Sequence, residues 1–152
     1  MRIGVISDTH GLLRPEAVDA LTGCAHILHA GDVGDDKILE ALRNIAPLTA
    51  IRGNVDHGGA CAKLPSTETI ELGGKLIHML HARQHLDLHP HAAGIAAVIF
   101  GHSHQPEISW TNGVLYFNPG SAGPRRFTLP ATIGILECSL DTLTPSIVPL
   151  LP

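Results

Sequence analysis

Aromatic residues are scarce: one Trp, one Tyr and three Phe make up 3% of the 152 residues. That is too few for the stacking platform on which single-stranded bases are bound. Charge is also sparse, at 16% of residues with a formal net charge of −4, which argues against a basic nucleic-acid binder. Cys24, Cys61 and Cys138 lie far apart and form no C-x-x-C pair, so neither a disulfide framework nor a thiolate zinc site is indicated. No apolar run approaches the roughly 20 residues that cross a bilayer, and the short run before Asp8 is unlike a secretory signal. These absences predict a protein of the reducing cytoplasm with no membrane partner and no stable hold on nucleic acid. What is present is 44% hydrophobic residues, enough for a buried core, in a length that suits one domain over residues 1–152. Histidine is abundant: 11, against 10 Lys and Arg together. Imidazole at that density directs attention to metal ligands.

The first hundred residues alternate between β-branched runs and helical spacing. Ile3 to Ile6, Ala25 to His29 and Leu48 to Ile51 read as strands. Between them, Arg14 to Leu21 has Pro15 at a first-turn position and Gly23 as a stop. After Asp35-Asp36, Ile38, Leu39, Leu42 and Ile45 recur on one helical face, with Pro47 ending the pattern. Such βαβ alternation predicts a largely parallel sheet. Beyond Gly59, Gly73-Gly74 and Thr111-Asn112-Gly113 each separate two β-like runs, and both read as hairpins. Ala96 to Phe100 is a further apolar run, and Ala131 to Cys138 and Pro145 to Leu150 close the pattern. The expectation is an α/β first part leading without a linker into a more antiparallel second part.

The residues immediately after each apolar run carry the chemistry. The runs lead in turn to Asp8-Thr9-His10, Gly31-Asp32, Gly53-Asn54, His81 and Gly101-His102-Ser103-His104. In open α/β sheets ligands bind at the C-terminal strand edge, where these loops converge. Asp and Asn also occur after strands as ordinary turn and capping residues, but seven donors at one edge favour metal. Asp8, His10, Asp32, Asn54, His81, His102 and His104 offer oxygen and nitrogen with no thiolate. That set suits Mn²⁺ first, with Fe²⁺, Ni²⁺ or Zn²⁺ also compatible, and disfavours Ca²⁺. Seven donors exceed one structural zinc and fit two adjacent ions sharing a carboxylate. Two such ions and two aspartates leave a positive site that attracts a phosphate anion.

These residues, with Asn118-Pro119-Gly120-Ser121, resemble the signature of calcineurin-like metallophosphoesterases, in the order of their small, capless bacterial and archaeal phosphodiesterase branch. The resemblance spans roughly Met1 to Arg126. It implies an αββα four-layer sandwich of two mixed sheets flanked by helices. It further implies one ion held by Asp8, His10, Asp32 and His104, and a second by Asp32, Asn54, His81 and His102. A hydroxide bridging the ions would attack a small phosphate-ester substrate, a diester in the first instance. A phosphomonoesterase or nucleotide phosphatase on the same site is one alternative. A non-catalytic scaffold of the same fold, like the retromer subunit, is another, and it would show eroded ligands. Self-association into a homo-oligomer is compatible with all three.

Two positions depart from the family pattern. Many relatives carry His directly after the ligand Asn, where it protonates the leaving group; Val55 stands there instead. The expectation is modest turnover that favours good leaving groups. Ala82 replaces the Gly that usually comes after the ligand His. Among the remaining candidates, Arg125 is placed to reach a phosphate bidentately. Its neighbour Arg126 shares that candidacy, with a solvated role equally open to both. Arg14 and Arg83 read as solvated, His57 as a loop residue, and His29 and His78 as satisfied sheet histidines. His85, His89 and His91 around Pro90 read as an exposed loop.

Overall fold

The computed structural model describes residues 1–152. β1 (Arg2–Ile6), α1 (Pro15–Leu21), β2 (His26–His29), α2 (Asp36–Arg43) and β3 (Leu48–Ala50) form the expected parallel βαβαβ unit. Pro15 opens α1, and Asp35 caps α2 by accepting from the Lys37 amide at 2.9 Å. Ile38, Leu39 and Leu42 then face the sheet, packing with Ala17 and Leu21 of α1 and Ile27 of β2. A four-residue helix, α3 (Gly59–Ala62), leads to the hairpin β4 (Thr67–Leu72) and β5 (Lys75–Leu80). β6 (Ile95–Ile99), β7 (Glu107–Thr111), β8 (Val114–Asn118), β9 (Thr132–Cys138) and β10 (Leu143–Pro149) complete the chain.

The strands form two mixed five-stranded sheets, in the orders β10-β9-β1-β2-β3 and β4-β5-β6-β8-β7. The second half of the chain is therefore less antiparallel than its sequence pattern predicts. β5, β6 and β8 run parallel, while β9 returns to pair antiparallel with β1. The reason lies in β9, buried at every position from Thr132 to Leu136. A strand apolar on both faces needs partners on both edges, and β1 and β10 provide them.

The sheets face one another across a shared core. Ile3, Val5, Leu28 and Leu136 from the first meet Ile77, Met79, Leu115 and Phe117 from the second. Gly134 makes this approach possible, since a Cβ there would stand 2.5 Å from the Phe117 ring. Helices α1 and α2 cover the outer face of the first sheet. The outer face of the second is covered mainly by a loop: Leu86 and Leu88 pack on Val98 and Tyr116 beside a single 3-10 turn at Arg83–His85. Pro90 and Gly94 prevent a longer helix in that stretch. No helix of the chain is long and apolar enough to cross a membrane.

This layering makes Phe117, with no exposed surface, the main spacer between the sheets. Phe117→Ala is expected to lower the unfolding free energy by about 3–5 kcal/mol, read from urea denaturation. A loss below about 1 kcal/mol would show that the inter-sheet core closes without it.

Candidate metal centre

The ends of β1, β2, β3, β5 and β6 lie on one rim, and the seven candidate donors come from the adjoining turns. The turns share an unusual backbone. Asp8, His10, Asp32, His102 and His104 all have φ between 46° and 72°; the other non-glycine residues in that left-handed region are Asn112 and Phe127. Left-handed conformations of such residues cost about 1–3 kcal/mol each and cluster at functional sites. Close backbone approach adds a second constraint. A Cβ at Gly53 would collide with the Asp32 carboxylate, and one at Gly101 would collide with Ser7 Oγ and lie 2.6 Å from Asp8 Oδ2. Ala82, by contrast, has an extended backbone at φ −114° and is buried, so glycine is not required there.

Asp8 is fully buried and Asp32 nearly so. Each carboxylate has one oxygen held by the protein. Asp8 Oδ2 accepts from Ser7 Oγ at 2.7 Å and from the His102 amide at 3.0 Å, and Asp32 Oδ1 accepts from the Val55 amide at 3.0 Å. The other oxygens face imidazoles. Asp8 Oδ1 is 3.4 Å from His104 Nε2, 3.6 Å from His10 Nε2 and 3.7 Å from His81 Nε2. Asp32 Oδ2 is 3.2 Å from His81 Nε2 and 3.5 Å from His10 Nε2. Two groups of donors result, Asp8 with His10 and His104, and Asp8 with Asp32 and His81. The His102 ring stands edge-on to His81 with centroids 5.2 Å apart, and Asn54 lines a cleft together with His81.

This arrangement fits divalent metal. At the centre of the cluster Asp8 Oδ1 and His81 Nε2 are buried without a hydrogen-bond partner, although buried polar groups are ordinarily paired. The 3.2 Å contact of His81 Nε2 with Asp32 lacks hydrogen-bond alignment. Two donors each about 2.1 Å from one ion stand roughly 3.0–3.4 Å apart, close to the spacing here. His81 Nδ1 lies 2.7 Å from the Ala30 carbonyl. A carbonyl only accepts, so Nδ1 carries a proton, and Nε2 is the ring nitrogen turned toward the carboxylates. That is how a metal-ligating imidazole is oriented.

The electrostatics have the same origin. Burial works against the charged form of Asp8, but His10, His104, His81 and Ser7 outweigh it and hold the carboxyl well below its usual range. Asp32 is also lowered: His81 and the Val55 amide overcome burial. His10 is raised chiefly by Asp8, and His81 is raised because Asp32 and Asp8 outweigh its burial. Two carboxylates kept ionised at this depth attract positive charge, which protons or metal cations can supply.

Other residues support the donors. Asp56 is one that motif spacing does not reveal, while Asn118 and Ser121 belong to the motif segment Asn118-Pro119-Gly120-Ser121. Asp56 is buried and accepts from the amides of Val33, Gly34 and Gly53, tying the Asp32 loop to the Asn54 loop. Asn118 Nδ2 donates to the Gly101 carbonyl and Ser103 Oγ, bracing the His102–His104 loop. Ser121 Oγ donates to the Asp8 carbonyl at 2.9 Å. His29 is satisfied as its apolar setting predicts, and it also braces the site: Nδ1 accepts from the Gly31 amide while Nε2 faces Thr9 Oγ1 at 3.0 Å.

The arginines fare differently from expectation. Arg125 is exposed, and its Nε donates to the Leu129 carbonyl of its own loop. The neighbouring Arg126 is the one whose charge is felt at His10, pushing that imidazole down. Arg14 donates to the Gly123 carbonyl, and Arg83 pairs with Glu107 at 2.6 Å while lying over the Tyr116 ring.

A rim of this kind has known relatives. The chain matches the calcineurin-like phosphoesterase superfamily domain over residues 1–141. It is 34% identical, across 99% of its length and 82% of the relative's, to "Probable metallophosphoesterase MJ0623" of Methanocaldococcus jannaschii. The chain belongs to the calcineurin-like phosphoesterases, and its fold and Asp/His clusters are those of a metallophosphoesterase. Among solved structures it resembles YfcE, a phosphoesterase from E. coli, with a TM-score of 0.71 and 21% identity over 99% of this chain and 100% of that one. Vps29 from Entamoeba histolytica in complex with Zn²⁺ gives a TM-score of 0.75 and 22% identity over 99% and 100%.

His29 yields a direct test of the bracing network. Burial pushes its pKa down to about 4, and a bare Nδ1 requires the proton on Nε2. Nitrogen-15 NMR is expected to show a neutral Nε2–H tautomer from pH 7 down to about 4. Protonation near the ordinary histidine value of about 6.5 would mean that the network opens.

Proposed function

We propose that this protein is a two-metal phosphodiesterase acting on small, exposed phosphate esters. The observation that carries the proposal is the pair of buried, unpartnered donor atoms Asp8 Oδ1 and His81 Nε2, 3.7 Å apart, on which Asp32 Oδ2 and the Nε2 atoms of His10 and His104 converge from separate strand ends. In this reading Asp8, His10, Asp32 and His104 hold one ion, while Asp32, Asn54, His81 and His102 hold the other. Asp32 Oδ2, within 3.5 Å of both His10 and His81, is suited to bridge. When bound, two divalent ions supply Lewis acidity that activates water and neutralises charge on the phosphoryl oxygens. The chain's own part is to fix the donors: Ser7 and the His102 amide orient Asp8, the Val55 amide orients Asp32, and the Ala30 carbonyl sets the His81 tautomer.

The donor chemistry supports Mn²⁺, with Fe²⁺, Ni²⁺ and Zn²⁺ also accommodated by nitrogen and carboxylate ligands. The similar fold that carries Zn²⁺ in Vps29 is consistent with such a set. Preference for a diester rests on charge. A monoester dianion calls for more cationic neighbours than a diester monoanion, yet Arg83 is occupied by Glu107 and Arg125 by its own loop, which leaves Arg126 as the arginine whose charge is felt at His10.

Chelation is expected to abolish hydrolysis of bis-p-nitrophenyl phosphate and added Mn²⁺ to restore it. Asp32→Ala is expected to lower activity at least about 100-fold with loss of bound metal, since even removing a ligand's outer support typically costs 10–100-fold. Equal or faster turnover of p-nitrophenyl phosphate would assign the site to a monoesterase. Inactivity with every divalent ion would refute the enzymatic reading.

A further inference from the structure

Two hollows flank the Asn54–Val55 segment, and their linings differ in charge. One, of about 310 Å³, is lined by Asp35, Asp36, Asp56, Val55 and His57. Three carboxylates make it repellent to a phosphate ester. The other, of about 360 Å³, contains Asn54 and His81 and continues to Arg52, His85 and Asp87. Its remaining lining includes the hydroxyl-bearing Ser66 and Thr67. Val55, where many relatives have histidine, opens into the acidic hollow, as does His57. The histidine that shares a cleft with Asn54 and His81 without belonging to the donor set is His85.

We infer that the cleft bounded by Asn54, His81 and His85 receives the leaving group, a small polar alcohol, and that His85 protonates it. The inference rests on the phosphoesterase reading above.

His85 is exposed, but the turn that carries it is fixed. Its amide donates to the Ala82 carbonyl at 3.0 Å, closing the 3-10 turn at Arg83–His85. Arg83 anchors that turn to the second sheet through Glu107 and the face of Tyr116, whose ring centroid lies 4.3 Å away. An imidazole held on the rim of a polar cleft can deliver a proton without being buried. In the step, an oxygen from water bonds to phosphorus and one proton of that water passes to solvent. The P–O bond to the leaving group breaks, its electron pair stays on the departing oxygen, and that oxygen takes a proton from the His85 ring. His85 recovers a proton from solvent, so one water is consumed per ester. The residue thereby replaces the donor absent at Val55 by approaching from the opposite wall of the Asn54 loop.

The test uses the metal-loaded protein and a series of phosphodiesters whose leaving groups run from p-nitrophenol to a simple alkanol. With His85 as the acid, wild type is expected to depend weakly on leaving-group acidity, contrary to the preference for good leaving groups that Val55 alone predicts. His85→Ala is expected to turn over the p-nitrophenyl ester within about threefold of wild type and to lose about 100-fold on the alkyl ester, the scale of general acid catalysis. Added imidazole should restore part of that loss, which a structural defect would not allow. A second readout is independent of turnover: in the zinc-loaded protein, inorganic phosphate should shift the His85 ring resonances and leave those of His57 unmoved. A uniform loss across the series, no loss, or a shift at His57 in place of His85 overturns the assignment while leaving the phosphoesterase reading standing. So does a wild type already steeply dependent on leaving-group acidity. A wild type that hydrolyses no ester with any metal overturns both.

Discussion

Keeping two carboxylates ionised inside the protein is the constraint around which the rim is organised. Removing a charge from water is costly unless partners replace the lost hydration. Asp8 and Asp32 each receive a partial replacement: one oxygen is bound by amides or a hydroxyl, and the other is left facing imidazoles at more than 3 Å. Those imidazoles arrive from different strands, so five chain segments must meet within a few ångströms. Extended backbone cannot turn that sharply, and the chain does so with left-handed residues at Asp8, His10, Asp32, His102 and His104. Glycines at 53 and 101 let the turns press against the carboxylates.

The strain of those turns has to be offset by something rigid. The two-sheet core fixes the strand ends, but the loops need their own ties. Asp56 gathers three amides from two loops, and Asn118 and Ser121 link the β8 end to the His102–His104 turn and to Asp8. His29 couples Thr9 to Gly31 from beneath. Each brace bonds the segment that carries a donor, and its own polar atoms are spent on backbone or on a neighbouring hydroxyl. This division, with some polar groups spent on the chain and others withheld from it, marks which of the rim residues hold structure and which face a ligand.

The alternation of strands and helices, both hairpins and the rim position of the seven donors are legible from periodicity, turn residues and the strand-end rule. Asp35 capping α2 and Pro15 opening α1 are local effects, so they can be read locally. The partners of β9 are different: nothing within residues 132–138 says that β1, over a hundred residues away, has an open edge. The bare helical cover on the second sheet is foreshadowed by Pro90 and Gly94 but depends on Leu86 and Leu88 finding that face. Side-chain direction is the least accessible level. Arg125 and Arg126 are neighbours of the same type, and only the fold of their loop decides that one turns to Leu129 while the other is felt at His10. His85 is similar, because an irregular spacing around Pro90 gives no sign that a 3-10 turn sets it in the cleft of Asn54.

The likeness to Vps29 shows that this fold is not confined to proteins described as phosphoesterases, so architecture alone does not separate a catalyst from a scaffold. Local energetics do separate a rim that holds metal from an ordinary docking surface. A buried polar atom without a partner costs about 1–3 kcal/mol, and this rim holds two of them, Asp8 Oδ1 and His81 Nε2, along with five strained donor residues. A surface that served only to dock a partner would gain nothing from either: apolar side chains at Asp8 and His81 would remove the unpaired atoms, and glycine at the left-handed positions would remove the strain. A cation reverses the sign, because the atoms most costly when unpaired become its ligands and the left-handed turns become the geometry it requires. The rim is therefore least stable as a bare surface and most stable as a ligand cage. That energetic asymmetry, which the fold alone does not impose, is the physical argument for a bound cation.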